Sequence, residues 1–328
     1  MGFFFNKKDY VKLPCPYCFK DLNLNGRKTL ESCPNCNHKL PPQYASYCKA
    51  INVCIFGNTA SGKTSYFTSL IYRLKNSLDV FNVSYADAET GRHYENNFRD
   101  FVKSGNLKAT AAGSIDTQRW TLKDFVNDKK LFVSFFDPAG ETVRDFQNAS
   151  YEVKTLLKYS NNFIIMIDGE ALLKNDIVSN STLPNMINEY ADYVRISQGL
   201  NPDKKISSNV AVVISKLDLL EQYPFTYIFS NAGRHLRAKA FQNNDMINVD
   251  REINNFLQIY GQNELLNAIK ANFSNFKFFA VSSKGSETFN SCDNEEPSVI
   301  NGDFFKPFRV EDPFLWFLKE ERAFAYTR

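Results

Sequence analysis

Continuous apolar runs recur along the chain and alternate with stretches of helical periodicity. The runs cover residues 51–56, 131–136, 163–168, 210–214 and 276–281. Unbroken runs of this kind are typical of strands in a parallel sheet whose two faces are both covered. Apolar residues spaced three and four apart predict helices within 63–75, 94–102, 186–194, 253–260 and 265–273. The alternation predicts an α/β fold with a mostly parallel central sheet flanked by helices.

The remaining segments have weaker patterns. Residues 77–86 are indistinct, and residues 106–117 have the composition of a mobile loop that ends before a strand at 118–125. Residues 285–309 are polar and contain glycine and proline, so we expect an exposed loop there. Asp312 and Pro313 form an N-cap and first-turn pair that predicts a final helix, with Leu315, Trp316, Leu318 and Phe324 available for packing.

Length and composition fit one large domain with a small appendage: the chain has 328 residues, is 43% hydrophobic and carries a net charge of +3. No run of about 18 apolar residues occurs, so we expect no transmembrane helix and no membrane partner. The run Phe3-Phe4-Phe5 is too short for a signal-peptide core, and the lysines follow it instead of preceding it. We therefore expect a cytoplasmic protein.

Four of the seven cysteines lie in two close pairs, Cys15 with Cys18 and Cys33 with Cys36. Two residues between cysteines allow both thiolates to converge on one tetrahedral ion, and paired knuckles of this kind are a strong zinc signal. An Asn-Gly dipeptide at residues 25–26 suits the hairpin turn that would bring the pairs together. The pattern predicts a zinc ribbon and linker over residues 1–48, followed by a main domain over residues 49–328.

Other interpretations of this segment remain open. Cys-Pro-Tyr-Cys is also the active-site tetrapeptide of glutaredoxins, but no strand pattern precedes it and a second Cys-Pro-x-Cys follows. His38 or Cys48 could replace a ligand, although four thiolates already complete a site. Residues 1–50 hold eight Lys and Arg against three Asp and Glu. This basic excess could contact nucleic acid or an acidic partner, but we favour a cap that docks on a protein.

A complete phosphate-binding loop follows the first apolar run. The pattern G-x-x-x-x-G-K-[ST] predicts nucleotide contacts from Gly57, Asn58, Thr59, Ala60, Ser61, Gly62, Lys63, Thr64 and Ser65. The glycines allow a tight turn close to the phosphates, and the loop amides with the helix N-terminus form an anion site. Lys63 is expected to reach the β- and γ-phosphates, and the Thr64 hydroxyl is expected to ligate Mg²⁺.

An acidic residue ends the apolar run at 131–136. Asp137 begins the sequence Asp-Pro-Ala-Gly-Glu, and an acid at the end of a strand opposite the phosphate loop can hold the Mg²⁺ shell. Gly140 would then offer an amide to the γ-phosphate, and the following residues to about 157 would form a switching segment and its helix.

Two later strand ends suggest a guanine site. Ser215-Lys216-Leu217-Asp218 resembles the [NT]-K-x-D motif of regulatory GTPases, and Ser282-Ser283-Lys284 resembles their S-A-K loop. Asp218 would accept from guanine N1 and N2, the Lys216 stem would stack on the base, and residues 282–284 would contact guanine O6. Adenine lacks the donors that Asp218 needs, so a buried Asp218 would discriminate against it.

The motifs occur along the chain in the order that is typical of GTPases. Residues 50–328 therefore resemble a GTPase of the translation-factor-related, Ras-like class. The ribbon, the Asp-x-Ala-Gly-Glu sequence and the closing Asp-Pro-Phe-Leu-Trp sequence are similar to the bacterial double-GTPase domains. That resemblance implies GTP or GDP with Mg²⁺, a protein effector or activator, and a role in multi-component conflict or defence systems.

Two positions depart from the class pattern. The magnesium-sensing threonine of the first switch is either Thr110, whose Leu-x-x-Thr context resembles the narrower family, or Thr117, which better fits the Ras-like spacing to Asp137. Of the two we favour Thr110. Glu141 replaces the water-positioning glutamine, which implies slow hydrolysis or dependence on a partner's arginine. Two other functions compete with the GTPase: an ATPase or nucleotide kinase that shares only the phosphate loop, and a binding module in which nucleotide is structural.

Overall fold

The computed structural model describes residues 13–22, 30–76, 81–104, 107, 114–125, 128–138, 150–173, 177–223, 225–230, 243–285, 299–300 and 303–323. Within these residues, no helix is both long enough and apolar enough to cross a membrane.

Seven strands form the central sheet. They are β3 (Lys49–Gly57), β4 (Phe81–Tyr85), β5 (Ile115–Asp124), β6 (Lys130–Pro138), β7 (Asn162–Asp168), β8 (Ile206–Ser215) and β9 (Phe273–Ala280). Two short antiparallel pairs lie outside it: β1 (Leu13–Pro14) with β2 (Asp21–Leu22), and β10 (Val299–Ile300) with β11 (Asp303–Phe304).

The sheet order is β4-β5-β6-β3-β7-β8-β9. Strands β3, β6, β7, β8 and β9 are parallel, whereas β5 is antiparallel to both β4 and β6. The predicted fold class, an α/β fold with a mostly parallel sheet, is confirmed.

Helices cover both faces of the sheet. They are α1 (Lys63–Asn76), α2 (Ala88–Ser104), α3 (Tyr151–Tyr159), α4 (Gly169–Leu173), α5 (Ile177–Gln198), α6 (Thr226–Ser230), α7 (Asn243–Ile259), α8 (Asn263–Asn272) and α9 (Asp312–Glu320). The core on one face includes side chains of α1, α2 and α9, and the core on the other includes side chains of α3, α5, α7 and α8. Strands buried on both faces explain the continuous apolar runs in the sequence.

The segment before β5 differs from the prediction. The indistinct residues 77–86 contain β4, and β5 begins at Ile115, three residues before the predicted strand. The sequence does not predict strand β4, because it is an edge strand in which only Phe81 and Val83 are buried and no continuous apolar run results. Helix α2 confirms the helical spacing around Tyr94 and Phe98.

The cysteine-containing segment packs directly on the sheet. Phe19 lies against Phe136 of β6 and Tyr159 of α3, with ring centroids 5.7 and 6.1 Å apart. Tyr44 is buried against Phe132 in a short 3-10 helix, Tyr44–Ser46. Tyr44, which was expected in the linker to the main domain, is therefore packed on the sheet. The cysteine-containing segment covers the same face of the sheet as α3.

The segment before the final helix is also buried. Arg309 was expected in an exposed loop, but it is 2% exposed and pairs with Asp245 of α7 and Asp312. The expectation of an exposed loop is wrong for this part because long-range ion pairs satisfy the charged group inside the protein. Glu311, instead of Asp312, occupies the N-cap position of α9, and its carboxylate pairs with Arg73 of α1.

Candidate nucleotide-binding site

The carboxyl ends of the parallel strands bring the predicted nucleotide motifs to one edge of the sheet. Strand β3 ends at Gly57, β6 continues through Asp137 to Pro138, and β8 ends at Ser215. Ligands of open α/β sheets bind at this edge. The site is therefore assembled by topology from motifs far apart in sequence.

The phosphate loop connects β3 to α1 through left-handed backbone. Ala60 has φ 64° and Gly62 has φ 90°, a region that L side chains seldom adopt. A Cβ on Gly57 would lie 2.5 Å from the carbonyl oxygen of Met166 in β7 and 2.7 Å from Ser61 Oγ. Glycine at position 57 thus lets the loop lie close to the neighbouring strand.

Lys63 is buried at the start of α1. Its ammonium donates to the carbonyl oxygens of Gly57, at 3.1 Å, and Asn58, at 3.3 Å. Burial lowers the pKa of Lys63, and the negative charge of Asp137 opposes that effect. The ammonium is thereby held over the loop, where it can meet an anionic ligand.

Thr64 and Asp137, the two predicted Mg²⁺ residues, are in contact. The Thr64 hydroxyl donates to Asp137 Oδ2 at 2.7 Å, and Asp137 is 1% exposed. The parallel pairing of β3 with β6 brings the two segments together. Hydroxyl and carboxylate oxygens are the ligand types that Mg²⁺ prefers, so this pair fits a magnesium site.

The two predicted guanine loops are also joined. Ser282 Oγ donates to Asp218 Oδ1 at 2.5 Å, and the Leu217 amide donates to the Val281 carbonyl at 3.0 Å. Ser215, which stands at the first position of the N-K-x-D-like motif, donates to the Ile167 carbonyl. The Asp218 carboxylate is thereby held in place before any base arrives.

One hydrogen bond links the phosphate and base regions. Ser69 Oγ on α1 donates to the Ser283 carbonyl at 2.7 Å. Ser283 is half-buried and Lys284 is exposed. Ser69 was not predicted as a site residue, because its partner is 214 positions away and a serine inside a helix gives no signal.

Sequence comparison identifies the family. The sequence model of the Double-GTPase 2 family matches residues 51–287, which include the phosphate loop and both predicted guanine loops. The chain belongs to the Double-GTPase 2 family. The match begins after the four paired cysteines and ends before α9. A comparison with curated protein sequences finds no significant match.

Two solved structures resemble this Double-GTPase 2 chain at low identity. The Arl6 (BBS3) small GTPase of Trypanosoma brucei, with bound GppNp, aligns at TM-score 0.40 and 11% identity, over 84% of this chain and 98% of its own. The Roco2 RocCORdC structure of Methanosarcina barkeri, bound to GDP, aligns at TM-score 0.30 and 16% identity, over 73% of this chain and 45% of its own.

The switch residues are only partly within the described structure. Thr110, Gly140 and Glu141 lie outside the described residues. Thr117 lies inside β5, opposite Phe136, so the expectation that it precedes the strand is wrong. Because side chains alternate along a strand, Thr117 shares a face with Phe136, whereas Asp137 points to the other face.

Asp116, next to Thr117, is paired with Asp137 in the sheet register. His93 Nε2 of α2 lies 2.7 Å from Asp116 Oδ2. The hydrogen bond to Asp116 raises the pKa of His93, and the charges of Asp116 and Asp137 raise it further. Partial burial lowers it but does not outweigh them. The segment that contains β4 and α2 thus places a titratable pair next to Asp137.

The four paired cysteines of this Double-GTPase 2 protein converge on one point. Their sulfur atoms all lie within 4.8 Å of one another, with Cys15 and Cys36 at 3.7 Å and Cys18 and Cys33 at 3.8 Å. A tetrahedral zinc site with Zn–S bonds near 2.3 Å requires sulfur separations of about 3.8 Å. The donor set therefore fits zinc.

Backbone amides support these sulfurs. The Tyr17 amide donates to Cys15 Sγ at 3.4 Å, and the Asn35 amide donates to Cys33 Sγ at 3.3 Å. Burial opposes ionisation of Cys33, but hydrogen bonds from the Asn35 and Cys36 amides and from neighbouring thiols outweigh it and lower its pKa to about 7. Burial raises the pKa of Cys15. Thiolate is the form that binds metal.

Proposed function

We propose that this protein is a GTP-binding switch that hydrolyses GTP slowly or only with help from a partner. The observation that carries the proposal is the hydrogen bond from Ser282 to Asp218, which joins the two guanine loops at the sheet edge that also carries the phosphate loop. Membership of the Double-GTPase 2 family supports GTP as the nucleotide.

The phosphate side would bind the triphosphate through Lys63 and the amides of residues 57–65. Mg²⁺ would be held by Thr64 and Asp137, and it would supply charge neutralisation at the β- and γ-phosphates. Thr110 would complete the shell in the GTP state instead of Thr117, because Thr117 shares a face of the sheet with Phe136 and not with Asp137. In hydrolysis, water attacks the γ-phosphorus in line and the bond to the β–γ bridging oxygen breaks, which gives GDP and phosphate. Lys63 and the Gly140 amide would stabilise the charge that develops.

Glu141 would make this reaction slow, because an ionised carboxylate repels the γ-phosphate unless the carboxylate is protonated or paired with a cation. The base side would be read by Asp218, with Lys216 stacked on the ring and Ser282, Ser283 and Lys284 next to guanine O6. Loss of the γ-phosphate would release the switch segments, and a protein effector would distinguish the two states.

The paired cysteines would hold a structural zinc ion, and the ribbon would dock a protein partner in preference to nucleic acid. Zinc thiolate chemistry requires reduced cysteines, which is consistent with the cytoplasm. A role in a bacterial conflict or defence system rests on family resemblance. Zinc content, measured by elemental analysis of the purified chain, tests the first part: one equivalent per chain is expected, and none would overturn it.

Single-turnover hydrolysis tests the catalytic part. Protein loaded with GTP should convert it to GDP only when Mg²⁺ is present, and Thr64→Ala should lower the rate by about a hundredfold or more. Glu141→Ala should change the rate, whereas an unchanged rate would remove Glu141 from the catalytic account. Absence of hydrolysis in the wild type, with tight retention of GTP, would favour the binding module with structural nucleotide.

A further inference from the structure

Lys216, the predicted stacking residue, is held by two acidic residues that the sequence motifs do not include. Its ammonium lies 2.7 Å from Asp168 Oδ2 and 3.4 Å from Glu170 Oε2. Asp168 is the last residue of β7, and Glu170 lies in the first turn of α4. Lys216 itself has left-handed backbone, φ 56°, immediately after β8. Both carboxylates therefore reach the lysine from the neighbouring strand end.

The backbone fixes this contact. Asp168 is paired with Ser215 in the register of β7 and β8, and the Glu170 amide donates to Asp168 Oδ1 at 3.0 Å. A Cβ on Gly169 would lie 2.4 Å from the Ser215 carbonyl oxygen. Glycine at position 169 thus allows the acidic turn to lie directly against the residue that precedes Lys216.

The ion pair is partly shielded from water. The exposed fractions of the side chains are 30% for Lys216, 20% for Asp168 and 38% for Glu170. Partial burial lowers the pKa of Lys216, but hydrogen bonds and charges from Asp168 and Glu170 outweigh it, so the pKa is raised overall. The lysine is a charged, tethered group with its ammonium at a defined position, two residues before Asp218.

We propose that Asp168 and Glu170 are positioning residues for the nucleobase: they hold the Lys216 ammonium so that its aliphatic stem lies along one face of the guanine ring. This inference rests on the proposed function, because it takes guanine as the occupant of the site. A freely moving lysine stem loses side-chain entropy when it packs on a base. Prior anchoring by Asp168 removes part of that cost, so the acids contribute to affinity through Lys216 and not by touching the nucleotide.

The test is a double-mutant cycle on the full chain with Mg²⁺, in which calorimetry gives the dissociation constants of GTP, GDP, ATP and inorganic tripolyphosphate. Asp168→Asn should weaken GTP and GDP by equal factors of about five to ten. Glu170→Gln should weaken them by about twofold, since its contact is longer. Tripolyphosphate, which has no base, should bind each variant as it binds the wild type. Asp203→Asn, at an exposed aspartate in the turn before β8, is the matched control and should change nothing.

The cycle with Lys216→Ala separates positioning from direct contact. In the Lys216→Ala background, Asp168→Asn should cause no further loss, because the carboxylate acts only through the lysine. An equal loss in both backgrounds would overturn the inference, as would an unchanged GTP affinity in Asp168→Asn. A parallel loss of tripolyphosphate binding would mean that the ion pair supports the fold instead of the base. A wild type that binds ATP as well as GTP would overturn the proposed function itself, and the inference with it.

Discussion

The Ser282 hydroxyl donates to the Asp218 carboxylate across 64 residues of chain. Ser282 Oγ also accepts from the Gly285 amide at 2.8 Å, and the Ser282 backbone forms an antiparallel β-bridge with Phe308. The Asp218 carboxylate is therefore fixed by a loop that is itself fixed by the segment before α9. Preorganisation of this kind favours a ligand with matching donors.

Asp218→Asn should exchange guanine for xanthine specificity. The Asn oxygen could still accept from N1, but its NH2 group would face the guanine amino group, which is also a donor; xanthine has a carbonyl oxygen at that position, which accepts from the NH2 group. We expect GTP affinity to fall by about a hundredfold, or ~2.7 kcal/mol, and xanthosine triphosphate to bind more tightly than GTP. Competition binding with both nucleotides is the measurement. Unchanged GTP affinity would show that Asp218 does not contact the base.

Gly285→Ala should loosen the guanine loop. Gly285 has φ 81°, and a Cβ there would lie 1.8 Å from the Lys306 carbonyl oxygen, so the loop must move away from the segment before α9. We expect about 1–3 kcal/mol of strain and a smaller ratio of GTP to ATP affinity.

Gly261→Ala is the matched control for this prediction. Gly261 has a similar φ of 73°, but a Cβ there meets nothing within 4 Å. It should therefore show the backbone strain without the change in nucleotide preference. Equal nucleotide preference in the wild type and both variants would contradict the idea that the C-terminal segment supports base recognition.

Removal of Phe19 should destabilise the whole domain. Phe19 is 6% exposed and belongs to the same core cluster as α3, α5 and β6. Truncation of a buried phenylalanine costs about 3 kcal/mol, so Phe19→Ala should lower the free energy of unfolding of the main transition by about that amount. Tyr151→Ala, at a side chain 79% exposed on α3, should leave it nearly unchanged.

Zinc chelation should act in the same direction, because the ribbon covers Phe132 and Phe136 on one face of the sheet. We expect the midpoint of the main thermal transition to fall when a chelator removes the metal. A separate low-temperature transition for the ribbon, with the main transition unmoved, would show instead that the two parts unfold independently.

The ion pair of His93 with Asp116 predicts a pH dependence of stability. The pKa of His93 is raised in the folded protein, chiefly by its hydrogen bond to Asp116. The stabilisation is therefore complete below the unfolded pKa of about 6.5 and is lost as pH rises through the higher folded value. The pair is partly exposed, so the effect should be only about 0.5 kcal/mol.

His93→Gln keeps a hydrogen-bonding group but removes the titratable charge. Denaturant unfolding of nucleotide-free protein should show the wild type more stable than this variant near about pH 5.5 and equal to it near about pH 9. A stability difference that stays constant over this range would mean that the charge of His93 plays no part.

The sequence predicted most of the parallel sheet because its strands are buried on both faces and therefore read as continuous apolar runs. It also assigned Thr64 and Asp137 to one magnesium site, and the structure places the two side chains in contact, since topology brings the strand ends together. It missed β4, where only alternate residues are buried, and it missed the burial of Arg309, whose partner Asp245 lies 64 residues away.

The role of Asp168 was also missed, although the signal was present. Asp137 is an acid near the end of a buried strand, and Asp168 is likewise an acid at the end of β7. No motif connected it to Lys216, because that contact depends on the register of β7 with β8. The sequence also does not predict that Phe19 packs on the sheet, because the pattern of a segment without its own core does not indicate which surface of the main domain it covers.

Equilibrium binding of GTP, GDP and ATP to the purified chain with Mg²⁺ tests the central claim most directly. We predict micromolar or tighter binding of guanine nucleotides and at least about hundredfold weaker binding of ATP, which corresponds to ~2.7 kcal/mol. Equal binding, or a preference for ATP, would contradict the account: Asp218 would not read the base, and the protein would be a phosphate-loop ATPase.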